Sequence, residues 1–315
     1  MSMPTPIQQL EAVKHFLRQS GSNISKSAEQ IRREMAESAG QLPQRHDVKN
    51  VPVSIGGLYG EWVWTEGLPD TALDRAFLYF HGGGFIAGTC EMYRDLAGRI
   101  SAACGIRVLT VEYRLAPEHR YPAANEDCFA AYRWLIAQGI EPDHIIVGGD
   151  SVGATLGLMT LISLRDAGEA LPAAAVLLSP HGDLVHLDGE SYTSRAMTDP
   201  TGSLEGNQKI LEDYIGLRNG DIPIPEILSP LRVKLHGLPP MLIQAGDQEV
   251  LLSDAERLAA RCNADGTEVM LEIWENMWSG FQFMAGLLIE GEQAITGIGS
   301  FVRTTSAAAS KTVYL

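Results

Sequence analysis

The sequence predicts an α/β fold: one mostly parallel sheet of eight strands, flanked by helices. Three observations carry that expectation. Short apolar runs alternate with helix-period segments along most of the chain. Two glycine-rich turns, "HGGGF" and "GGDSVG", each follow directly on an apolar run. The alternation breaks once, after the sixth apolar run, over residues 183–227. That stretch is rich in Gly, Asp, Ser and Pro, with a helical piece near 208–214.

Each element has its own justification. Residues Ile7–Gln19 and 25–38 are amphipathic at helical period, with Ser27 as candidate N-cap of the second and Gly40 and Pro43 to end it. Strand signals then follow in "DVKNVPVSI", "LYGEWVWT" and "RAFLYF". Five more come in "IRVLTVEY", "HIIVGGD", "AAAVLLS", "PMLIQAGD" and "EVMLEIWE". Helical patterns at 123–138, Val152–Asp166 and 253–265 lie among these five. Strands joined through helices pair in parallel, and ligands of such sheets bind at the carboxyl ends of the strands. The irregular 183–227 stretch is expected to lie over that edge.

Composition narrows the function. The chain has 315 residues, with 24 Lys+Arg against 39 Asp+Glu and a net charge of −15. Such a surface repels phosphate backbones, which argues against nucleic-acid binding. No apolar run reaches the length of a membrane span. The opening "MSMPTPIQQLEAVK" lacks the basic and apolar regions of a signal peptide. Cys90, Cys104, Cys128 and Cys262 form no C-x-x-C pair and are expected to be buried reduced thiols. Together these features predict a cytoplasmic protein.

Two motifs carry chemistry. Gly149-Asp150-Ser151-Val152-Gly153 fits G-x-S-x-G between a strand and a helix, the context of a nucleophile elbow. "YFHGGGF" supplies three glycines whose N–H groups can face a substrate oxyanion. The donors expected are Gly83, Gly84 and the N–H of Val152. His81 precedes them and is expected to anchor its own loop. No G-x-G-x-x-G or Walker-type motif supports a nucleotide site.

"HGGGF", "VEYRLAPEHRYPAA" and "GDSVG", in this order and context, resemble the hormone-sensitive-lipase-like carboxylesterases of the α/β-hydrolase fold, over roughly residues 45–305. The resemblance implies hydrolysis of short acyl esters, a small-molecule ester as substrate, no cofactor and no metal, and a Ser–Asp/Glu–His triad. It also implies a homodimer paired through the last strand. It divides the chain into N-terminal cap helices (1–44), a catalytic core (45–182 and 228–315) and a cap insertion (183–227). The family's acid stands in G-x-x-D-P-L. Here Gly246-x-x-Glu249-Val250-Leu251 puts Glu249 in that place, with Asp247 the alternative. Either carboxylate would serve equally as a helix N-terminal charge.

One position departs from the family. Where its histidine stands, 30 residues beyond Glu249, the chain reads Ser279-Gly280-Phe281. A serine hydroxyl is too weak a base near neutral pH. No histidine follows His236. Of the eight histidines, His15, His46, His119, His144 and His236 fall outside the expected site, and His81 is assigned to its loop. His181 and His186 remain, just beyond the strand "AAAVLLS". His181 is either a relocated base or a polar wall of the pocket. As a base it would be oriented by Asp183, and the rate would rise with pH near the unperturbed value of about 6.5. Two other readings stay open: a ligand-binding member without catalysis, or an esterase deliberately inactivated at Ser279.

Overall fold

The computed structural model describes residues 5–19, 25–69, 72–216 and 223–312. Eight strands form one sheet: β1 Val48–Ile55, β2 Leu58–Thr65, β3 Ala76–Phe80, β4 Arg107–Val111, β5 Ile145–Asp150, β6 Ala174–Leu178, β7 Met241–Gly246 and β8 Val269–Trp274. Their order is β1-β2-β4-β3-β5-β6-β7-β8. Only the β1–β2 and β2–β4 pairs are antiparallel. From β4 to β8 every neighbour runs parallel, as the alternating pattern predicts.

The pleat divides the core between the two faces. Along β3, Leu78 and Phe80 join one apolar cluster while Phe77 and Tyr79 join the other, and all four are fully buried. The first cluster takes in α4 (Ala123–Ala137), α5 (Val152–Asp166) and α8 (Leu252–Ala264). The second takes in α3 (Cys90–Cys104) and α9 (Ile289–Thr312). Neither α3 nor α9 was marked by the sequence pattern. Helix α3 has a clear cap, with Thr89 accepting from the Met92 N–H at 3.3 Å. Its Arg99 and Ser101 are buried, however, which blurs the contrast between its faces. All four cysteines are free and buried. No helix among the described residues is long and apolar enough to cross a membrane.

Two segments outside the sheet decide what surrounds its carboxyl edge. Helix α1 (Ile7–Gln19) places Leu10 and Val13 against Met277, Trp278 and Phe281. Helix α2 (Ala28–Gly40) begins as expected at Ser27, which forms a capping box with Gln30. From α2, Arg32 donates to the carbonyls of Ile86 (2.6 Å) and Ala116 (3.0 Å) and pairs with Glu118 (2.6 Å). The 183–227 stretch carries α6 (Ser191–Ser194) and α7 (Leu204–Ile215), the latter longer than the 208–214 piece read from sequence. Residues 217–222 of that stretch and 1–4 of the N-terminal segment lie outside the described residues.

Replacing Ser27 with Ala removes the bond from the Gln30 N–H to the Ser27 hydroxyl and is expected to cost about 1 kcal/mol. Thermal unfolding should show a Tm lower by about 2 °C. An unchanged Tm would mean that α2 is held by its packing and by Arg32 without help from the cap.

Candidate active site

Ser151 sits between β5 and α5 at φ 52°, ψ −125°, a backbone region that L residues rarely adopt. Its N–H donates to the Leu178 carbonyl at 2.8 Å, which ties the turn to the end of β6. The turn closes only because its flanks are glycines. A Cβ on Gly149 would lie 2.3 Å from the Phe80 carbonyl oxygen, and one on Gly153 would lie 2.1 Å from it. The "GGDSVG" spacing is therefore steric: the nucleophile elbow and the end of β3 touch backbone to backbone.

The glycine loop after β3 is held to that elbow by Asp150. Its Oδ1 accepts from the Tyr79 hydroxyl (2.9 Å) and the Gly82 N–H (2.9 Å), and its Oδ2 accepts from the Tyr93 hydroxyl (3.0 Å). Burial pushes the Asp150 carboxyl up to about 6, against the pull of the two tyrosine hydroxyls. Gly83 (φ 108°) and Gly84 (φ 64°) then turn the chain. Among the described residues, the N–H groups of Gly83, Gly84 and Val152 donate to no protein acceptor. His81 is buried and stacked on Tyr113 (4.3 Å between centroids), with Nδ1 against its neighbour's carbonyl, the Gly82 oxygen, at 2.7 Å. Burial lowers its pKa to about 4.

Glu249 and the loop holding Ser279 meet through one hydroxyl. Ser179 Oγ donates to Glu249 Oε2 at 2.9 Å and accepts from the Gly280 N–H at 3.2 Å. Ser179 is itself buried, at φ 49°. The Gly246 N–H also donates to Glu249 Oε2 (2.9 Å). Oε1 is buried without a partner, so the Ser279 hydroxyl does not reach it. Burial pushes the Glu249 carboxyl up to about 8. Asp247 is turned elsewhere, with Oδ1 accepting from Gln248 Nε2 at 3.0 Å.

His181 is fully buried beside the first turn of α5. Its N–H donates to Thr155 Oγ1 at 3.0 Å. Its Nε2 lies 2.6 Å from Asn207 Oδ1. Asn207 Nδ2 donates to the Ser203 carbonyl at 2.8 Å, so Oδ1 is the acceptor and His181 carries its proton on Nε2. Nδ1 keeps a free lone pair and has no partner, and so it makes no hydrogen bond to Ser151. Burial lowers the ring's pKa to about 4. The expected orienting contact from Asp183 is not made. That carboxylate is buried and takes the stronger donors within reach: Arg232 Nε (2.6 Å), Ser229 Oγ (2.7 Å) and His186 Nδ1 (2.9 Å).

Helix α7 covers this ground from above. Ile210 would lie 3.2 Å from a Cβ on Gly84, Tyr214 stacks on Phe85 at 3.8 Å, and Asn207 holds His181. Sequence reasoning missed Ser179 and Asn207. Only the Ser-Pro pair at the end of β6 pointed toward the first, and nothing in the sequence pointed to the second.

Residues 77–283 match the family model of the alpha/beta hydrolase fold. An acetyl-hydrolase of Streptomyces hygroscopicus is 39% identical over 81% of this chain and 82% of its own length. An esterase of Acinetobacter venetianus is 33% identical over 82% of this chain and 84% of its own. A crystal structure of an esterase from the bacterial hormone-sensitive lipase family superposes with a TM-score of 0.89 at 39% identity, covering 97% of this chain and 100% of the other. The chain belongs to the α/β-hydrolase fold family, within its hormone-sensitive-lipase group of esterases. It is a carboxylesterase of the serine-hydrolase class.

The Glu249 carboxyl gives a signed pH dependence. An ordinary glutamate titrates near 4.5 and this one at about 8. Between those values the folded state keeps a proton that the unfolded state has released. Stability from this group is therefore greatest at acid pH and falls as pH rises through the window, by at most about 1.4 kcal/mol per pH unit. Glu249→Gln retains an acceptor for Ser179 and Gly246 and removes the titration. Denaturant midpoints measured from pH 5 to pH 8 should fall more steeply for the parent than for the variant. Parallel curves would contradict a buried, proton-holding Glu249.

Proposed function

We propose that this carboxylesterase cleaves short-chain acyl esters through Ser151, with Glu249 as triad acid and Ser279 where the triad histidine belongs. Attack by Ser151 Oγ on the ester carbonyl forms an oxyanion, for which the N–H groups of Gly83, Gly84 and Val152 are the donors. The cap consists of residues 1–44 and 183–227, and α7 shapes the acyl pocket against Gly84 through Ile210. One observation carries the assignment of residue 279: its neighbour Gly280 and the acid Glu249 share the Ser179 hydroxyl, while Glu249 Oε1 has no partner. A histidine N–H is the group that a triad acid accepts from. Asp247, occupied by Gln248, is the weaker candidate for the acid.

The decisive experiment is Ser279→His. It is expected to raise hydrolysis of p-nitrophenyl acetate or butyrate by about 10²–10⁴-fold, the usual worth of a general base. Ser151→Ala should abolish that gain and labelling by a fluorophosphonate, and Glu249→Gln should reduce the gain. A correctly folded Ser279→His with no gain would overturn the assignment of the base position.

A second reading has its own support. His181 Nδ1 carries a free lone pair because Nε2–H is engaged by Asn207. As a relocated base, Nδ1 would take the Ser151 proton after a movement that brings the two within reach. Since burial holds the ring near 4 rather than 6.5, the acidic limb of kcat/KM would lie at about 4. Loss of basal activity and of that limb in His181→Ala, but not in His186→Ala, is the expected result. Equal basal activity in His181→Ala and the parent would leave His181 as a pocket wall.

A further inference from the structure

We infer that Glu249 and the short side chain of residue 279 form a receptor for a basic nitrogen brought from outside the chain, an imidazole free in solution or carried by the ester itself. The inference rests on the reading of Ser279 given above and goes further, to the class of ligand the site takes. Four observations carry it. Glu249 is 0% exposed, yet among the described residues its Oε1 has no partner, so one buried carboxyl oxygen is left free beside the one that Ser179 and Gly246 hold. Ser279 is only half-buried, and a Cβ placed on Gly280 would meet nothing within 4 Å, so open space adjoins the loop. The Ser151 N–H is fixed on Leu178, the residue before Ser179, so the nucleophile turn and the acid converge on the end of β6. Finally, among the described residues the N–H groups of Gly83, Gly84 and Val152 have no protein acceptor, so they are free for a substrate oxyanion.

The chemistry selects the ligand. It must give an N–H to Oε1 of the ionised carboxylate and present a lone pair toward the Ser151 hydroxyl. A neutral imidazole does both, through opposite ring nitrogens. An alkylammonium has donors but no lone pair.

The step balances. The imidazole nitrogen takes the Ser151 proton as the Oγ–C bond forms and the carbonyl electrons move to oxygen. The resulting imidazolium returns that proton to the leaving alkoxide as its C–O bond breaks. In deacylation the imidazole takes a proton from water, hydroxide adds to the acyl carbon, and the proton goes back to Ser151 as the acyl–Oγ bond breaks. Alcohol and acid are released, and the imidazole is unchanged.

Two arms separate the sources. In the first, p-nitrophenyl acetate hydrolysis is followed against rising imidazole, with the Ser151→Ala rate subtracted to remove catalysis by imidazole in solution. A saturating increase of about tenfold or more is expected. It should be weaker with 1-methylimidazole, which has no N–H for Oε1, and weaker in Glu249→Gln. In the second, methyl 3-(imidazol-4-yl)propanoate is compared with methyl 3-phenylpropanoate in the absence of added base. A higher kcat/KM for the imidazole ester that is lost in Ser279→His is expected, and it marks the substrate as the source. Saturation in the first arm alone marks free base as the source. No saturation in the first arm and no preference in the second overturn the inference. If Ser279→His is nonetheless strongly active, the reading of residue 279 survives that failure. If it too is inactive, both fall.

Discussion

The buried carboxylate of Asp150 is the contact on which the rest of the site depends. It stands one residue before Ser151 and accepts from the Gly82 N–H at the head of the glycine loop. Two tyrosine hydroxyls, from Tyr79 on β3 and Tyr93 on α3, complete its shell. Asp150 thus joins the elbow, the glycine loop, the sheet and a helix at one point. Because protein donors from three separate elements converge on it, the carboxylate costs less to bury than an isolated charge would. Its raised pKa shows that burial still outweighs those donors. The glycines on either side of Ser151 permit the approach, and Asp150 fixes it. The relative placement of the serine and the Gly83, Gly84 and Val152 N–H groups follows from that fixed approach rather than from any contact between them.

What the sequence revealed was local in range. Helix α5 and helix α1 have the bounds that periodicity predicts, and Ser27 is the N-cap that the sequence proposes. The elbow and the glycine loop were legible because their constraint is steric and lies within a few residues. Contacts that cross the chain were not. Ser179 joins residues 70 and 101 positions away, and Asn207 reaches His181 from a helix in the irregular stretch. Nearness in sequence also misled. Asp183 stands two residues from His181 but is claimed by Arg232 and Ser229, which only the folding of the 183–232 segment brings to it.

Ser179 shows how a small polar residue can align two loops. Its φ of 49° directs a buried hydroxyl between two loops that follow different strands. One hydrogen goes to Glu249 and one lone pair accepts from Gly280, so its capacity is largely used by the two elements it aligns. The loop at 277–280 is further clasped to the acid loop, since the Gln248 N–H donates to the Met277 carbonyl at 3.0 Å. Helix α1 supports the same loop from outside through Leu10 and Val13. The position of residue 279 is therefore set by backbone and packing, not by its own side chain.

The state of Glu249 makes the same point from energetics. A buried carboxyl with one oxygen unpartnered is destabilising by about 1–3 kcal/mol relative to a satisfied one. Burial holds it protonated near neutral pH, so alone it is a neutral acid and not a counter-charge. A neighbouring imidazolium would reverse this. In the same poorly solvated surroundings the attraction between the two charges is strong, and the carboxyl would be drawn below its present pKa. The desolvation that penalises Glu249 in isolation is what would let it stabilise a proton on an adjacent ring during acyl transfer.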